Sequence, residues 1–382
     1  MVSSKVDLSP DEKGARIAVL REGVVSYLPA ERVDIVATHM PGGWCRYVRR
    51  ARDGDLYVMG TNLGHRIFHS ADGGRSWESR AFDDPYFISA FTILRDDTFL
   101  MASMPNTDQE EIFLARSTDY GRTWDSEKLA IDLSPHTHVA GWNSDMIELT
   151  DGTILLTLEM KNSKDAVHDA QGDALPLVLG GIFGYVFRSR DGGITWPDKN
   201  LVTLYGAEMH LLELPSGKLL AAIRRQRWFR LPGDPADIAT SMRAHGYNPE
   251  YTGFIEPIEE TTSFFKSVFI SESTDDGRTW VDERRVTGYE QCSGELTLLA
   301  DGRTLVLQYD SRYPDRFAEA GVRARVSYDT GQTWEDEEYI LGEGENYPGA
   351  IATPDGGLIT VCPYQNEGRM QAVHWRPAVK GH

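Results

Sequence analysis

The chain is poor in cysteine, with only Cys45, Cys292 and Cys362, far apart along its 382 residues. That excludes a disulfide framework and the close cysteine pairs of a structural zinc site. It lacks any run of about 18 apolar residues, so no membrane-spanning helix is expected. Cationic residues are in deficit: Lys and Arg total 39 against 58 for Asp and Glu, a formal net charge of −19 at pH 7. A surface this acidic repels phosphate backbones, so nucleic acid is not an expected partner. An anionic small ligand requires a local concentration of arginine or lysine. A phosphate-binding glycine loop, a dinucleotide fingerprint, a Ser–His–Asp context and an HExxH helix are all missing. No cofactor and no metal are therefore expected. The opening MVSSKVDLSPDEKG is polar and lacks the apolar core of a secretory signal, which points to the cytoplasm. Nothing in the composition sets an oligomeric state.

What is present is a repeat. Ser70-Ala-Asp72-Gly-Gly74-Arg-Ser-Trp77 returns as Ser117-Thr-Asp119-Tyr-Gly121-Arg-Thr-Trp124 and Ser189-Arg-Asp191-Gly-Gly193-Ile-Thr-Trp196. Two further copies are Ser273-Thr-Asp275-Asp-Gly277-Arg-Thr-Trp280 and Ser327-Tyr-Asp329-Thr-Gly331-Gln-Thr-Trp334. Ser and Asp side chains close turns on nearby backbone N–H groups, and Gly supplies the positive φ that such turns need. Trp offers a large apolar face for packing between units. Strand-like runs precede each copy: RIFHS, EIFLARS, GYVFRS, SVFISES and RARVS. The motif therefore reads as a β-hairpin corner with a scaffold role and no chemistry of its own.

A second series fixes the count. Tight-turn pairs followed by apolar runs fall at Asp53-Gly54, Asp96-Asp97, Asp151-Gly152, Ser216-Gly217, Asp301-Gly302 and Asp355-Gly356. Each predicts a hairpin between buried strands. The last unit has a third strand over Arg369–Arg376, and its fourth is expected from the N-terminal region around Arg16–Tyr27. The reading is an all-β, six-bladed β-propeller of four-stranded antiparallel blades. It forms one domain over 1–382, with its last blade closed by an N-terminal strand taken from 15–30. The blades fall at about 33–80, 81–130, 131–200, 201–285, 286–340 and 341–379.

In such a blade the innermost strand begins on the face opposite the tight turns. Counting back from each turn places Arg46 and Tyr47, Ser89, Asn143 to Asp145, Glu208 and His210, Ser293 and Glu295, and Tyr347 at those starts. The set is more polar than buried strands need, which suggests a ligand pocket. Two long connections, Lys161–Gly181 and Gln226–Phe264, are expected on the same face, the second carrying Trp228, His245, Tyr247 and Tyr251. His136, His138 and His210 are further candidates for a polar or proton-transferring group there.

Five S-x-D-x-G-x-[TS]-W boxes on a six-unit ring resemble the sialidase (neuraminidase) superfamily, also called BNR-repeat or Asp-box proteins, over roughly Val33 to Arg376. The resemblance implies a glycoside hydrolase with a tyrosine nucleophile, a glutamate that activates it, a carboxylic acid/base and three arginines on the substrate carboxylate. Such chemistry is physically coherent: a neutral phenol avoids repulsion with an anionic sugar, and guanidinium forks bind a carboxylate bidentately. Carried onto this chain, Tyr347 in Asn-Tyr-Pro-Gly resembles the nucleophile and Glu208 in Ala-Glu-Met-His its activator. Arg46 matches the first arginine by position, with Tyr-Val where the family has Ile-Pro. Arg224 resembles the second arginine, with Arg225 beside it. The third is expected in the connection holding Arg312 and Arg316, with Arg312 favoured. Asn143 and His210 would complete the substrate contacts. The chain departs from the family at the acid/base: the connection Gly60-Thr-Asn62-Leu-Gly-His65-Arg66 has no carboxylate, leaving His65 or Asp145 for proton transfer.

The expected function is a sialidase-like, exo-acting glycoside hydrolase on a terminal acidic sugar, with carbohydrate as the partner. Two alternatives stay open: a polysaccharide lyase on uronic-acid glycans, and a non-catalytic carbohydrate-binding propeller. The Arg46 and Glu208 positions also suit a purely structural ion pair, and Tyr347 before Pro348 suits packing.

Overall fold

The computed structural model describes residues 6–9, 16–41, 45–60, 65–82, 86–105, 110–139, 144–161, 182–204, 206–227, 265–312, 318, 320–344, 347–364 and 369–378. Among them the chain is almost wholly strand and turn, the sole helix being a short 3-10 segment, Ala30–Arg32. It divides into two compact units, Met1–Phe82 with Asp237–Thr252 and Glu290–His382, and Asp83–Ala236 with Gly253–Tyr289.

In unit one the first blade runs Cys45–Arg50, Leu56–Gly60, Arg66–Ser70, Glu78–Ala81, each strand antiparallel to the next. The last blade is Gly349–Ala352, Leu358–Tyr364, Arg369–Trp375 and Val33–Pro41. Gln291–Leu298, Leu305–Ser311, Gly321–Ser327 and Glu338–Glu343 form a further antiparallel set. Unit two holds the second blade, Phe87–Ile93, Phe99–Met104, Phe113–Ser117 and Asp125–Lys128. Its third blade is five-stranded: Ile154–Lys161, Phe183–Ser189 and Asp198–Leu204, with His138–Val139 and Met146–Glu148 both pairing the first of these. Gly206–Glu213, Leu219–Arg227, Phe265–Ser273 and Val281–Arg285 complete the unit.

Each expected tight turn joins two paired strands, as in Cys45–Arg50 with Leu56–Gly60 and Gly349–Ala352 with Leu358–Tyr364. Two expectations are corrected. Four sheets stand as separate blades of four or five strands, not six. The strands between Gly206 and Glu343 do not end in four-strand sets; Glu338–Glu343 continues into the hairpin Ala18–Arg21 and Val24–Tyr27, with Ala18 opposite Ile340. That hairpin therefore does not close the last blade. Val33–Pro41 does, Val33 pairing Trp375 and Pro41 pairing Arg369. The physical reason is burial. Glu338–Glu343 is buried along almost its whole length, and Ile17, Ala18 and Val19 cover it at 1, 0 and 8% exposure. Ile17 and Val19 join one apolar cluster with Tyr339, Val322, Leu358 and Trp375.

The five repeats are structural. In each, the serine hydroxyl donates to the aspartate and accepts the N–H of the glycine four residues on, as in Ser70 to Asp72 (2.8 Å) and Gly74 to Ser70 (2.8 Å). The aspartate then accepts two more backbone N–H groups and the next hydroxyl, Ser76 at 2.6 Å in the first copy. These bonds hold Asp72 and Asp275 down at about 2, in Asp72 chiefly through the Ser76 hydroxyl and in Asp275 chiefly through the Thr279 N–H. The tryptophans wedge between neighbours: Trp77 packs on the cluster of Leu56, Phe68 and Ile359, and Trp196 on that of Leu100, Leu114 and Leu156. Arginines stitch the same seams, Arg116 donating to Gly192 O (2.5 Å) and Arg188 to Asp276 O (2.7 Å).

Candidate functional site

Four of the innermost strands share, near their starts, a device the sequence does not show. Register shifts fall between Arg46 and Val48, Ile88 and Ala90, Ala207 and Met209, and Cys292 and Glu295. Each is a β-bulge, where one strand carries an extra residue and its side-chain alternation resets. Three of the residues caught in these bulges are left-handed without being glycine: Tyr47 (φ 63°), Glu208 (φ 46°) and Ser293 (φ 57°). Such strain costs about 1–3 kcal/mol per residue and collects at functional positions. Arg46, Tyr47, Glu208 and Ser293 thus stand at or beside a kink that re-aims their side chains.

In unit one the bulge carries Arg46, 2% exposed, and Tyr47, also 2%. The Arg46 guanidinium carbon lies 5.4 Å from the ring centroid of Tyr47 and 5.4 Å from that of Tyr347. Two sequence-selected residues 301 positions apart (347 − 46) thus meet, within the range of a cation–π contact. Tyr347 is 8% exposed. Glu295, buried at 2%, accepts the Ala350 N–H at 3.0 Å and ties the Gln291–Leu298 strand to the last blade. Arg312 keeps part of its side chain in solvent and sits 3.2 Å from the Asp310 carboxylate. Arg316 lies outside the described residues. His65 precedes the third strand of the first blade; its carbonyl accepts the Phe82 N–H (3.1 Å) and its ring packs on Phe82 at 5.7 Å. That is the outer half of the blade, not the innermost strand. Asn62 lies outside the described residues.

The sequence reading missed a buried ionic group in the same unit. Glu338 (5% exposed) accepts from Tyr309, from Gln291 Nε2 at 2.9 Å and from Arg323 at 2.8 Å. One side chain comes from each of four adjacent strands. Burial, then the Glu338 charge, pushes the Tyr309 phenol well up. No motif marks this network, because its members are far apart in sequence.

In unit two Glu208, 2% exposed, accepts from the Arg224 guanidinium. The expected pair of glutamate and second arginine is thus in contact. Arg225 points elsewhere, to Glu283 at 3.1 Å. Asp145 has no exposed surface; one carboxylate oxygen accepts the Met146 N–H and the other the Leu211 N–H, both at 2.9 Å. His210, 6% exposed, holds Nε2 3.6 Å from Asp145. Asp145 is therefore spent on backbone and placed beside His210, rather than open to a substrate. Asn143 and the two long connections, 162–181 and 228–264, lie outside the described residues. The three histidines have separate neighbours: His136 lies 3.1 Å from the Tyr185 hydroxyl and against Phe183, and His138 is 3.9 Å from Glu110. No group of three possible metal ligands occurs among the described residues.

Part of the polarity that suggested a pocket serves the seams between strand sets. Ser89 donates to Ser144 (2.9 Å), while Asp145 and Glu295 take backbone N–H groups of the neighbouring innermost strand. Buried donors must find acceptors, and a carboxylate satisfies them strongly. Two further contacts join sequence-selected residues, Arg46 with Tyr347 in unit one and Glu208 with Arg224 in unit two.

No protein-family model matches the chain, and no curated protein matches its sequence. Solved structures do match in shape. A Dyadobacter fermentans protein of unknown function superposes with TM-score 0.61 at 17% identity, over 90% of this chain and 99% of that one. A Hadza microbial sialidase gives 0.57 at 15% identity, over 92% and 68%. An α-L-arabinofuranosidase from Fusarium graminearum gives 0.60 at 13% identity, over 90% and 98%. At these identities the likeness concerns the fold: the chain is an all-β protein of the propeller fold, whose structural neighbours include glycoside hydrolases.

Proposed function

We propose that the chain is a glycoside hydrolase that removes a terminal acidic sugar. The observation that carries this reading is Arg46 beside Tyr347, both buried, in a protein whose net charge is −19. A guanidinium fork fits a carboxylate bidentately and supplies the local positive charge that an anionic sugar needs on an acidic protein. Structural neighbours that are named sialidase and α-L-arabinofuranosidase support carbohydrate as the substrate class.

In this reading unit one supplies Tyr347 as nucleophile, with Arg46 and Arg312 as carboxylate ligands. In unit two the same reading makes Glu208, paired with Arg224, a general base and His210, beside Asp145, a proton donor. The Tyr347 oxygen gives its proton to a carboxylate base and bonds to the anomeric carbon as the glycosidic C–O bond breaks, and the departing oxygen takes a proton from a general acid. Water then hydrolyses the tyrosyl intermediate, with the proton flow reversed. His65 is the less suited candidate for the acid role because it sits on the outer half of its blade.

The test is a crystal structure soaked with acidic monosaccharides, read together with turnover. A sugar carboxylate on Arg46 and loss of hydrolysis in Tyr347→Phe and Glu208→Gln support the reading. Retained turnover in both variants refutes it. A product with an ultraviolet-absorbing unsaturated uronate assigns the chain to lyase chemistry instead.

A further inference from the structure

The strand Ile154–Lys161 reads ILLTLEMK, and its glutamate is out of place. Glu159 is 1% exposed, opposite Gly184, with Leu158 and Met160 as fully buried neighbours in the chain. A carboxylate in such a position is costly unless it answers a buried donor. Here the donor is the backbone N–H of Glu208, which hydrogen-bonds to Glu159 Oε1.

Glu208 needs an outside acceptor for a definite reason. It is the extra residue of its bulge: the register pairs Ala207 with Arg224 and Met209 with Ile223 and shifts at Glu208. It also holds a left-handed φ of 46°. In an extended conformation its side chain would follow the ordinary alternation of a strand and leave the face it now shares with Arg224. The hydrogen bond to Glu159 therefore acts on the backbone at the residue whose conformation sets the direction of the Glu208 carboxylate.

We propose that Glu159 is a positioning residue for Glu208, holding the bulge through the backbone so that the Glu208 carboxylate meets Arg224. The proposal rests on the reading of Glu208 as a group of the reactive site. Asp145 and Glu295 show the contrast. They also accept backbone N–H groups, but from Leu211 and Ala350, residues with no proposed chemistry.

The experiment compares wild type with Glu159→Gln, Glu159→Asp and Glu159→Ala. Steady-state kinetics use a 4-methylumbelliferyl sialoside, and crystal structures of the variants are solved. Gln keeps an acceptor oxygen at the same reach, so kcat stays within about threefold of wild type. Asp keeps the charge but withdraws the acceptor by one methylene. Asp and Ala each lower kcat by roughly tenfold to a hundredfold, the scale of a misplaced reactive group, while KM moves little. In the Ala structure Glu208 leaves the left-handed region and its contact with Arg224 opens. The proposal is overturned if Glu208 keeps φ near 46° and its Arg224 contact in the Ala variant. It is equally overturned if Gln is damaged more than Asp, which would make the charge and not the reach the operative feature. Should Ala fail to fold, the order of Gln and Asp decides. A wild type inactive on the sialoside refutes the hydrolase reading alone, and the crystal structures still decide the positioning.

Discussion

Removing Arg224 should expose how much the Glu208 ion pair depends on burial. The two side chains are 10 and 3% exposed, so neither charge has much water to fall back on. Arg224→Met keeps the length and apolar stem but leaves the Glu208 carboxylate buried without its guanidinium. Breaking a buried pair in this one-sided way costs about 3–5 kcal/mol. With an unfolding entropy of about 2.1 cal/mol/K per residue, a 382-residue chain has about 0.8 kcal/mol/K, so Tm falls by roughly 4–6 °C. Glu208→Gln on its own leaves Arg224 facing a neutral amide and costs less. In the double variant both charges are gone, so its loss should fall short of the sum of the single losses by about 1–3 kcal/mol. Chemical denaturation of the four proteins gives this cycle directly. Single losses that add to within about 0.5 kcal/mol, as distant or solvated sites do, would refute the argument that the pair is a desolvated unit.

The seam packing predicts a contrast between adjacent glycines. Both Gly73 and Gly74 have positive φ, but a Cβ on Gly74 would stand 2.9 Å from Ile359 Cδ1, whereas one on Gly73 meets nothing within 4 Å. Gly73→Ala should cost about 1–2 kcal/mol for the left-handed alanine, and Gly74→Ala about 1–3 kcal/mol more for overpacking. Equal denaturation midpoints would contradict the wedge. The repeated turns also predict an acid limb. Asp72 and Asp275 are held at about 2, below the ordinary 3.8, so their contribution is complete above pH 4 and is lost as pH falls toward 2. Tm should decline through that window and less steeply in Asp72→Asn; a Tm flat from pH 4 to 2 would contradict the role of the turns. Ile17→Ala, at a position 1% exposed, should cost about 2–5 kcal/mol if the hairpin covers Glu338–Glu343 as described. A loss below about 0.5 kcal/mol, typical of a surface site, would oppose that packing.

The repeats and tight turns were legible because their signals are local. Ser, Asp, Gly and Trp at fixed spacing close one corner, and an apolar run after Asp-Gly makes one hairpin. The edges were not local. Arg16–Tyr27 and Val33–Pro41 are both strand-capable, and which one closes the last blade depends on which partner strand still has an uncovered face. Arg46, Tyr347 and Glu208 could be selected because position along the innermost strand follows from counting back from the turns, and Arg224 because it closes the strand after Glu208 and resembles the family's second arginine. That same count cannot foresee a bulge at Glu208, a non-glycine residue in the left-handed region. Nor does it mark Glu159, which lies in an otherwise apolar strand, or Glu338, whose partners Tyr309 and Arg323 sit on other strands. Asp145 shows the opposite error of emphasis. A carboxylate at a strand start looked like a proton donor, but backbone N–H groups occupy both of its oxygens.

The most direct measurement is turnover of matched 4-methylumbelliferyl glycosides (a sialoside, a β-glucuronide and an α-L-arabinofuranoside) by wild type, Arg46→Met and Tyr347→Phe. A hydrolase for acidic sugars cleaves a carboxylated substrate and spares the arabinoside. Arg46→Met then raises KM, and Tyr347→Phe lowers kcat by about a thousandfold or more, as loss of a nucleophile does. Cleavage confined to the neutral arabinoside, or full activity in Tyr347→Phe, would contradict it.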